Sequence, residues 1–235
     1  MNPSPLRAVL WDMDGTLVDT EPFWMAAETP LVESFGGTWS HEQALRLVGL
    51  GLDESARILQ EAGVRLSTQD IIDRLTEEVM RTIAAGGVPW RPGARDLLAS
   101  LRAAGIKTAL VTMSMRRMAT TVVDLIDFDA FDLVIAGDDA TRPKPFPDPY
   151  LQACEALGVA VDEAVAIEDS PNGLRSAVAA GAAVIGVPLM VSLAGAGAHA
   201  LWPTLEGRTV HDITAFHADH HVSRTQREAA RGGAR

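Results

Sequence analysis

The sequence predicts an α/β protein: a parallel sheet covered by helices on both faces, with a helical insertion after the first strand. Three observations carry this. A short apolar run, Ala8 to Trp11, empties into Asp12-Met13-Asp14-Gly15-Thr16; from about Pro22 to Ala85 only helix-like periodicity follows; and beyond Pro92 helices and strands alternate. Composition agrees, since 235 residues with 47% hydrophobic and 22% charged side chains supply a core of normal size and a smaller second lobe.

Taken in order, Ala8 to Trp11 is the first strand. The insertion reads as helices over Phe23 to Phe35, His41 to Val48, Asp53 to Glu61 and Thr68 to Ala84, after which Gly86, Gly87, Pro89 and Pro92 punctuate the chain as a hinge would. Ala94 to Ala104 is a helix ended by Gly105, and Lys107 to Thr112 (KTALVT) a strand. The cycle repeats with helix Met115 to Leu125, strand Leu133 to Ala136, helix Pro149 to Leu157, strand Ala164 to Glu168, helix Asn172 to Ala180 and strand Ala183 to Val187. Strands spaced by single helices require right-handed crossovers, and ligands of such sheets bind beyond the carboxyl ends of the strands. Further on, the Ala/Gly-rich stretch before Trp202 reads as loop or irregular helix, and Arg208 to Phe216 as a final strand and turn. His217, His220 and His221 suggest metal, but nothing nearby completes a ligand set, so a solvated or disordered tail is expected from 217 to 235.

A formal net charge of -11 argues against nucleic acid or an anionic membrane as partner, since both call for a basic face. The lone cysteine, Cys154, excludes an intrachain disulfide and reads as a small buried hydrophobe suited to a reducing compartment. With no signal-peptide pattern at the start and no long apolar stretch, a cytoplasmic protein, and a monomer, are expected.

The chemistry gathers at the strand exits. Alternation along a strand sends Asp12 and Asp14 to the same side, roughly 6 to 7 Å apart at Cα. Gly15 lets the backbone turn there, and Thr16 can offer its hydroxyl to the turn. Two carboxylates facing one spot can hold a cation and present a nucleophile to an electrophile. Thr112 and Ser114 end the strand KTALVT, Lys144 sits in a loop stiffened by Pro143, Pro145 and Pro147, and Glu168 with Asp169 closes the strand AVAIED.

These residues resemble the haloacid dehalogenase-like superfamily, whose four signatures match in order: DMDGT at Asp12 to Thr16, the strand ending in Thr112, Lys144 in RPKPFPDPY, and Glu168-Asp169 in IEDSPNG. The resemblance covers about Leu6 to Val187. It implies a Rossmann-like core (1–20 and 87–216) with the helical block 21–86 as a cap like that of β-phosphoglucomutase and many small-metabolite phosphatases. It also implies a Mg²⁺-dependent phosphatase acting on a sugar phosphate or a phosphoglycolate-type metabolite. Asp12 would be the nucleophile that forms an aspartyl phosphate, and Asp14 the general acid and then base, its backbone carbonyl reaching the metal. Asp12 and Asp169 would be metal ligands, with Glu168 an inner or outer candidate. Thr112 and Met113, with nearby backbone N–H groups, would cradle the phosphoryl oxygens, and Lys144 would offset their charge.

Departures from the family pattern carry information too. Asp14 stands where the dehalogenase branch lacks an aspartate, which favours phosphoryl chemistry. Trp24 stands where the β-phosphoglucomutase pattern has a histidine, and Val48 and Leu52 where it has basic residues that grip a second phosphate. Trp24, Leu50 and Leu52 therefore suggest an apolar lid with few fixed hydrogen bonds. A phosphomutase is the alternative reading, and a receiver-like signalling module or silent phosphoryl-binding protein a further one. The helical insertion argues against the receiver, which needs one compact lobe.

Overall fold

A computed structural model describes residues 5–232, with side chains to position 223. Its sheet runs in the order β3-β2-β1-β4-β5-β6, all parallel: β1 (Ala8–Trp11), β2 (Lys107–Val111), β3 (Leu133–Ile135), β4 (Ala164–Glu168), β5 (Ala183–Gly186) and β6 (Ala200–Leu201). Both faces are buried, so strand residues alternate between two apolar clusters. Val9, Trp11, Leu110, Val165, Ile167 and Ile185 point to one; Ala8, Leu10, Ala109, Val111, Ala164 and Ala166 point to the other.

The first face is covered by α5 (Ala94–Ala103), α6 (Arg116–Asp124) and α9 (Val210–Gly232), through residues such as Leu97, Leu98, Met118, Val122 and Ile213. The second, lined by small alanines, admits α7 (Asp148–Leu157) and α8 (Pro171–Ala180), which bring Tyr150, Cys154, Leu157 and Leu174 against the strands. Cys154 is buried, and burial pushes its thiol up to about 11.

Between β1 and β2 lie α1 (Glu21–Ser34), α2 (His41–Leu45), α3 (Leu52–Glu61) and α4 (Thr68–Gly86), which form the inserted helical cap. Its apolar faces, including Leu31, Val32, Leu59, Ile71, Leu75 and Val79, are continuous with the first cluster of the core. The two chain crossings into it pair with each other: Val18 bridges Trp90 antiparallel, Asp19 N–H donates to the Pro89 carbonyl (2.7 Å), and Arg91 N–H to that of Leu17 (3.0 Å).

Three expectations give way. β6 forms where a loop or helix was read, because Ala200 and Leu201 extend the sheet beside Ile185 and Gly186. Arg208 to Phe216 is not a strand: Thr209 and Asp212 cap a helix start reciprocally, Thr209 N–H donating to Asp212 Oδ2 (2.9 Å) and Asp212 N–H to Thr209 Oγ1 (3.3 Å). Nor does a solvated or disordered tail begin at 217, since α9 continues through that position, with Ile213 and His217 buried and His217 Nε2 within 2.8 Å of the Asp162 carbonyl. Residues 233–235 of that expectation lie outside the described residues. No helix among those described is long and apolar enough to cross a membrane.

Candidate active site

The sheet order reverses direction at β1, which has β2 on one side and β4 on the other, and the crevice beyond such a reversal is where α/β sheets hold ligands. Trp11 is level with Leu110 of β2 and Ile167 of β4, so the next residues along each strand emerge side by side. Asp12, Thr112, Glu168 and Asp169 reach the same mouth for that reason, and Lys144 arrives from the loop before α7.

Lys144 Nζ sits between Asp12 Oδ1 (2.7 Å) and Glu168 Oε1 (2.6 Å), and donates a third bond to the Val111 carbonyl (2.8 Å). Burial acts to lower its pKa, but the two carboxylates more than offset this and hold it above its ordinary value. Glu168 is wholly occupied by the protein: Tyr150 Oη donates to Oε1 (2.6 Å) and Ser170 Oγ to Oε2 (3.2 Å). Glu168 thus serves as the anchor of Lys144 and Tyr150. Tyr150 carries no signal in sequence beyond its place in a helix.

Asp12 Oδ2, by contrast, accepts no hydrogen bond among the described residues. Burial and the neighbouring Glu168 push the Asp12 carboxyl up to about 7, against the pull of Lys144. Burial and the same two carboxylates, Asp12 and Glu168, also raise Asp169 well above the usual range. One lysine among three buried carboxylates leaves a deficit of positive charge. Asp12 and Asp169 fit a divalent cation: with the engaged Glu168 they bring oxygens within 4.8 Å of one another, and Asp169 Oδ2 is buried with no partner among the described residues. Gly15, at φ +78°, keeps the space open, since a Cβ there would lie 2.0 Å from that same Asp169 oxygen. Thr16 turns its hydroxyl to Asp169 Oδ1 (3.3 Å), and not to its own turn as its sequence suggests.

Asp14 is held from two sides. Ser114 Oγ (2.7 Å) and Thr112 Oγ1 (3.4 Å) donate to Oδ2 from the core, while Thr20 Oγ1 (2.5 Å) and Trp24 Nε1 (3.2 Å) donate to Oδ1 from the cap side. Trp24 was read as an apolar lid residue; its indole N–H in fact anchors Asp14. Leu50 and Leu52 line the cavity, as do Met113 and Thr112. Met113 Sδ accepts from the Lys144 N–H (3.2 Å), which ties the Thr112 loop to the lysine loop.

The cap adds two carboxyls that sequence reasoning missed, Glu21 and Glu28 of α1, both buried and lining the cavity. The signal was there: with Trp24 they fall at i, i+3 and i+7, one stripe of a helix that opens directly after the first motif. Arg91, also missed, lies buried where the second crossing returns to the core. Burial lowers its pKa, while Asp169 and Asp19 pull it back up, and its Nη2 donates to the Pro188 carbonyl (3.3 Å).

A carboxylate beside a fixed lysine, with a second carboxylate poised opposite and a cation-ready pocket, suits phosphoryl transfer, and the relatives below make the class that of phosphatases. The chain belongs to the haloacid dehalogenase-like hydrolase family, whose model matches residues 9–187. It is similar to a phosphorylated carbohydrates phosphatase of Thermotoga maritima, 33% identical over 75% of this chain and 82% of that protein. It is similar also to hexitol phosphatase B of Escherichia coli K12, 30% identical over 79% of this chain and 85% of that protein. Among solved structures, CbbY of Rhodobacter sphaeroides in complex with phosphate is 31% identical with a TM-score of 0.78, covering 88% of this chain and 98% of that one.

Proposed function

We propose that the chain hydrolyses a small phosphorylated metabolite, of the sugar phosphate or phosphoglycolate type, through an aspartyl phosphate on Asp12, with Mg²⁺ as cofactor. The observation that carries this is the state of Asp12: one oxygen held at 2.7 Å by a buried lysine, the other free and facing the cavity that Asp14 also lines. Two of the relatives named above are a phosphorylated carbohydrates phosphatase and a hexitol phosphatase, which supports the substrate class.

In the first half-reaction Asp12 Oδ2 attacks phosphorus, the bond from phosphorus to the leaving oxygen breaks, and Asp14 gives that oxygen its proton. In the second, Asp14 takes a proton from water as the water attacks phosphorus and frees Asp12. Lys144 stays charged throughout and stabilises the negative charge that collects on Asp12 and the phosphoryl oxygens. Thr112 and Ser114 orient Asp14 from the core. Asp12 and Asp169 would hold the Mg²⁺, which supplies charge neutralisation for the transferring group when bound. Glu168 stands behind it as the partner of Lys144.

A mutase must grip a second phosphate in the cap. Lys144 is the only cation among the described residues lining the cavity, and it is committed to Asp12 and Glu168, so water is favoured as acceptor. The test is Asp12→Asn: phosphate release should vanish, together with the metallofluoride complex that mimics the phosphorylated aspartate. Full turnover in that variant, or turnover unaffected by chelation of Mg²⁺, would overturn the reading.

A further inference from the structure

On the cap side of the cavity, α1 presents Glu21, Trp24 and Glu28 along one face, the two glutamates' Cα atoms about 10 Å apart along the helix axis. Glu21 is 8% and Glu28 5% exposed. Trp39 Nε1 donates to Glu28 Oε2 at 2.9 Å and so fixes that side chain, while Glu28 Oε1 and both Glu21 oxygens accept no hydrogen bond from the described residues. The rest of the cap lining is aliphatic, as at Leu47, Leu50, Ile71 and Leu75, apart from Ser55. The spare oxygens open onto the cavity from an otherwise apolar wall, so whatever fills the cavity, water or a bound leaving group, is what meets them.

We propose that Glu21 and Glu28 form a specificity ladder that hydrogen-bonds the hydroxyls of a neutral, polyhydroxylated leaving group and rejects a substrate carrying a second anionic group. This rests on the phosphatase reading and narrows it. A hydroxyl can donate to a carboxylate oxygen with capacity to spare, whereas a fully ionised second anion has no proton to give it. A distal phosphate or carboxylate would meet these oxygens with no free cation to offset it. Glu21 opens α1 beside the catalytic aspartates and Glu28 lies two turns further on, so Glu21 reads the end of the leaving group next to phosphorus and Glu28 the far end.

The experiment compares matched substrates with Mg²⁺: a six-carbon polyol monophosphate, its bisphosphate, the corresponding amino-sugar monophosphate, and p-nitrophenyl phosphate as a reference with no hydroxyls to read. The polyol monophosphate should exceed the bisphosphate in kcat/KM by at least about 10²-fold, the discrimination that unpaired buried polar groups support. Glu28→Leu should lower the ratio of polyol monophosphate to p-nitrophenyl phosphate by about tenfold or more, with Glu28→Gln intermediate. Calorimetry on Asp12→Asn supplies the same ranking without turnover, and circular dichroism establishes that each variant is folded. Equal kcat/KM for mono- and bisphosphate, a ratio unmoved in folded Glu28 variants, or an amino-sugar phosphate preferred about tenfold over the neutral one would overturn the inference. If no substrate releases phosphate yet Asp12→Asn binds the polyol monophosphate selectively, the ladder stands and the hydrolase reading falls.

Discussion

Asp14 accepts hydrogen bonds from residues of both lobes, which places the proposed proton carrier under the control of the cap as well as of the core. Asp14→Asn should reduce the rate by about 10² to 10⁴, with the smaller loss for p-nitrophenyl phosphate, whose leaving group needs little protonation. An equal loss for alkyl and p-nitrophenyl esters would remove Asp14 from the acid role. Trp24→Phe, which deletes one donor and keeps the ring, should lower kcat for alkyl esters more than for p-nitrophenyl phosphate, since Asp14 loses a group that orients it; an equal or absent loss for the two would show that the indole only packs. Glu28 carries a stability signature as well. Below about 4.5 it is protonated in the folded and unfolded chain alike; between there and about 7 the folded chain keeps a proton that the unfolded chain has lost, so stability falls as pH rises through this window. In metal-free protein the decline attributable to Glu28 should be on the order of 1 to 3 kcal/mol, and Glu28→Gln should flatten it in melting curves collected across the window.

At the scale of elements, the positions of strands followed from apolar runs, and most helices from 3.6-residue periodicity, because both lobes bury one face of nearly every segment. Boundaries moved by one to three residues, as where α2 stops at Leu45 and β2 at Val111, which leaves Thr112 free to turn toward Asp14. The C-terminal segment was misread because its histidines and polar residues mask a helix whose apolar contacts, Ile213 and Phe216, are sparse. Its capping residues were the better signal. Thr209→Ala should cost about 1 kcal/mol of stability, read as a lowered midpoint in urea, and a midpoint unchanged within error would mean that the start of α9 is held by packing alone.

At the scale of the whole molecule, the cap rests on the core through few polar contacts. Asn172 Nδ2 donates to the Gly49 carbonyl (3.1 Å), and Arg117 pairs with Asp73 of α4 (2.5 Å). Gly49 itself sits so close that a Cβ would fall 2.5 Å from the Cβ of Ser170. With 21–86 taken as the moving unit, we expect it to rock about the paired crossings at Val18 and Trp90 to admit substrate and then exclude water. Hydrogen exchange at both crossings and along the cavity side of α1 should slow when a phosphate analogue and Mg²⁺ bind. Identical rates with and without them would count against closure.

The sequence by itself determined the parallel sheet, the inserted helices and the gathering of Asp12, Asp14, Thr112, Lys144, Glu168 and Asp169, because strand alternation and the carboxyl-end rule turn one-dimensional spacing into one side of a sheet. It did not determine who pairs with whom. That Glu168 is spent on Lys144 and Tyr150, that Trp24 serves Asp14 with its indole N–H, and that Glu21 and Glu28 face the cavity were decided by tertiary structure alone. The reason is physical: a hydrogen bond or a buried charge is settled by distances of an ångström between segments far apart in the chain, such as the 24 positions between Lys144 and Glu168 or the 100 between Asp14 and Ser114, and no local pattern encodes the angle at which the cap meets the core.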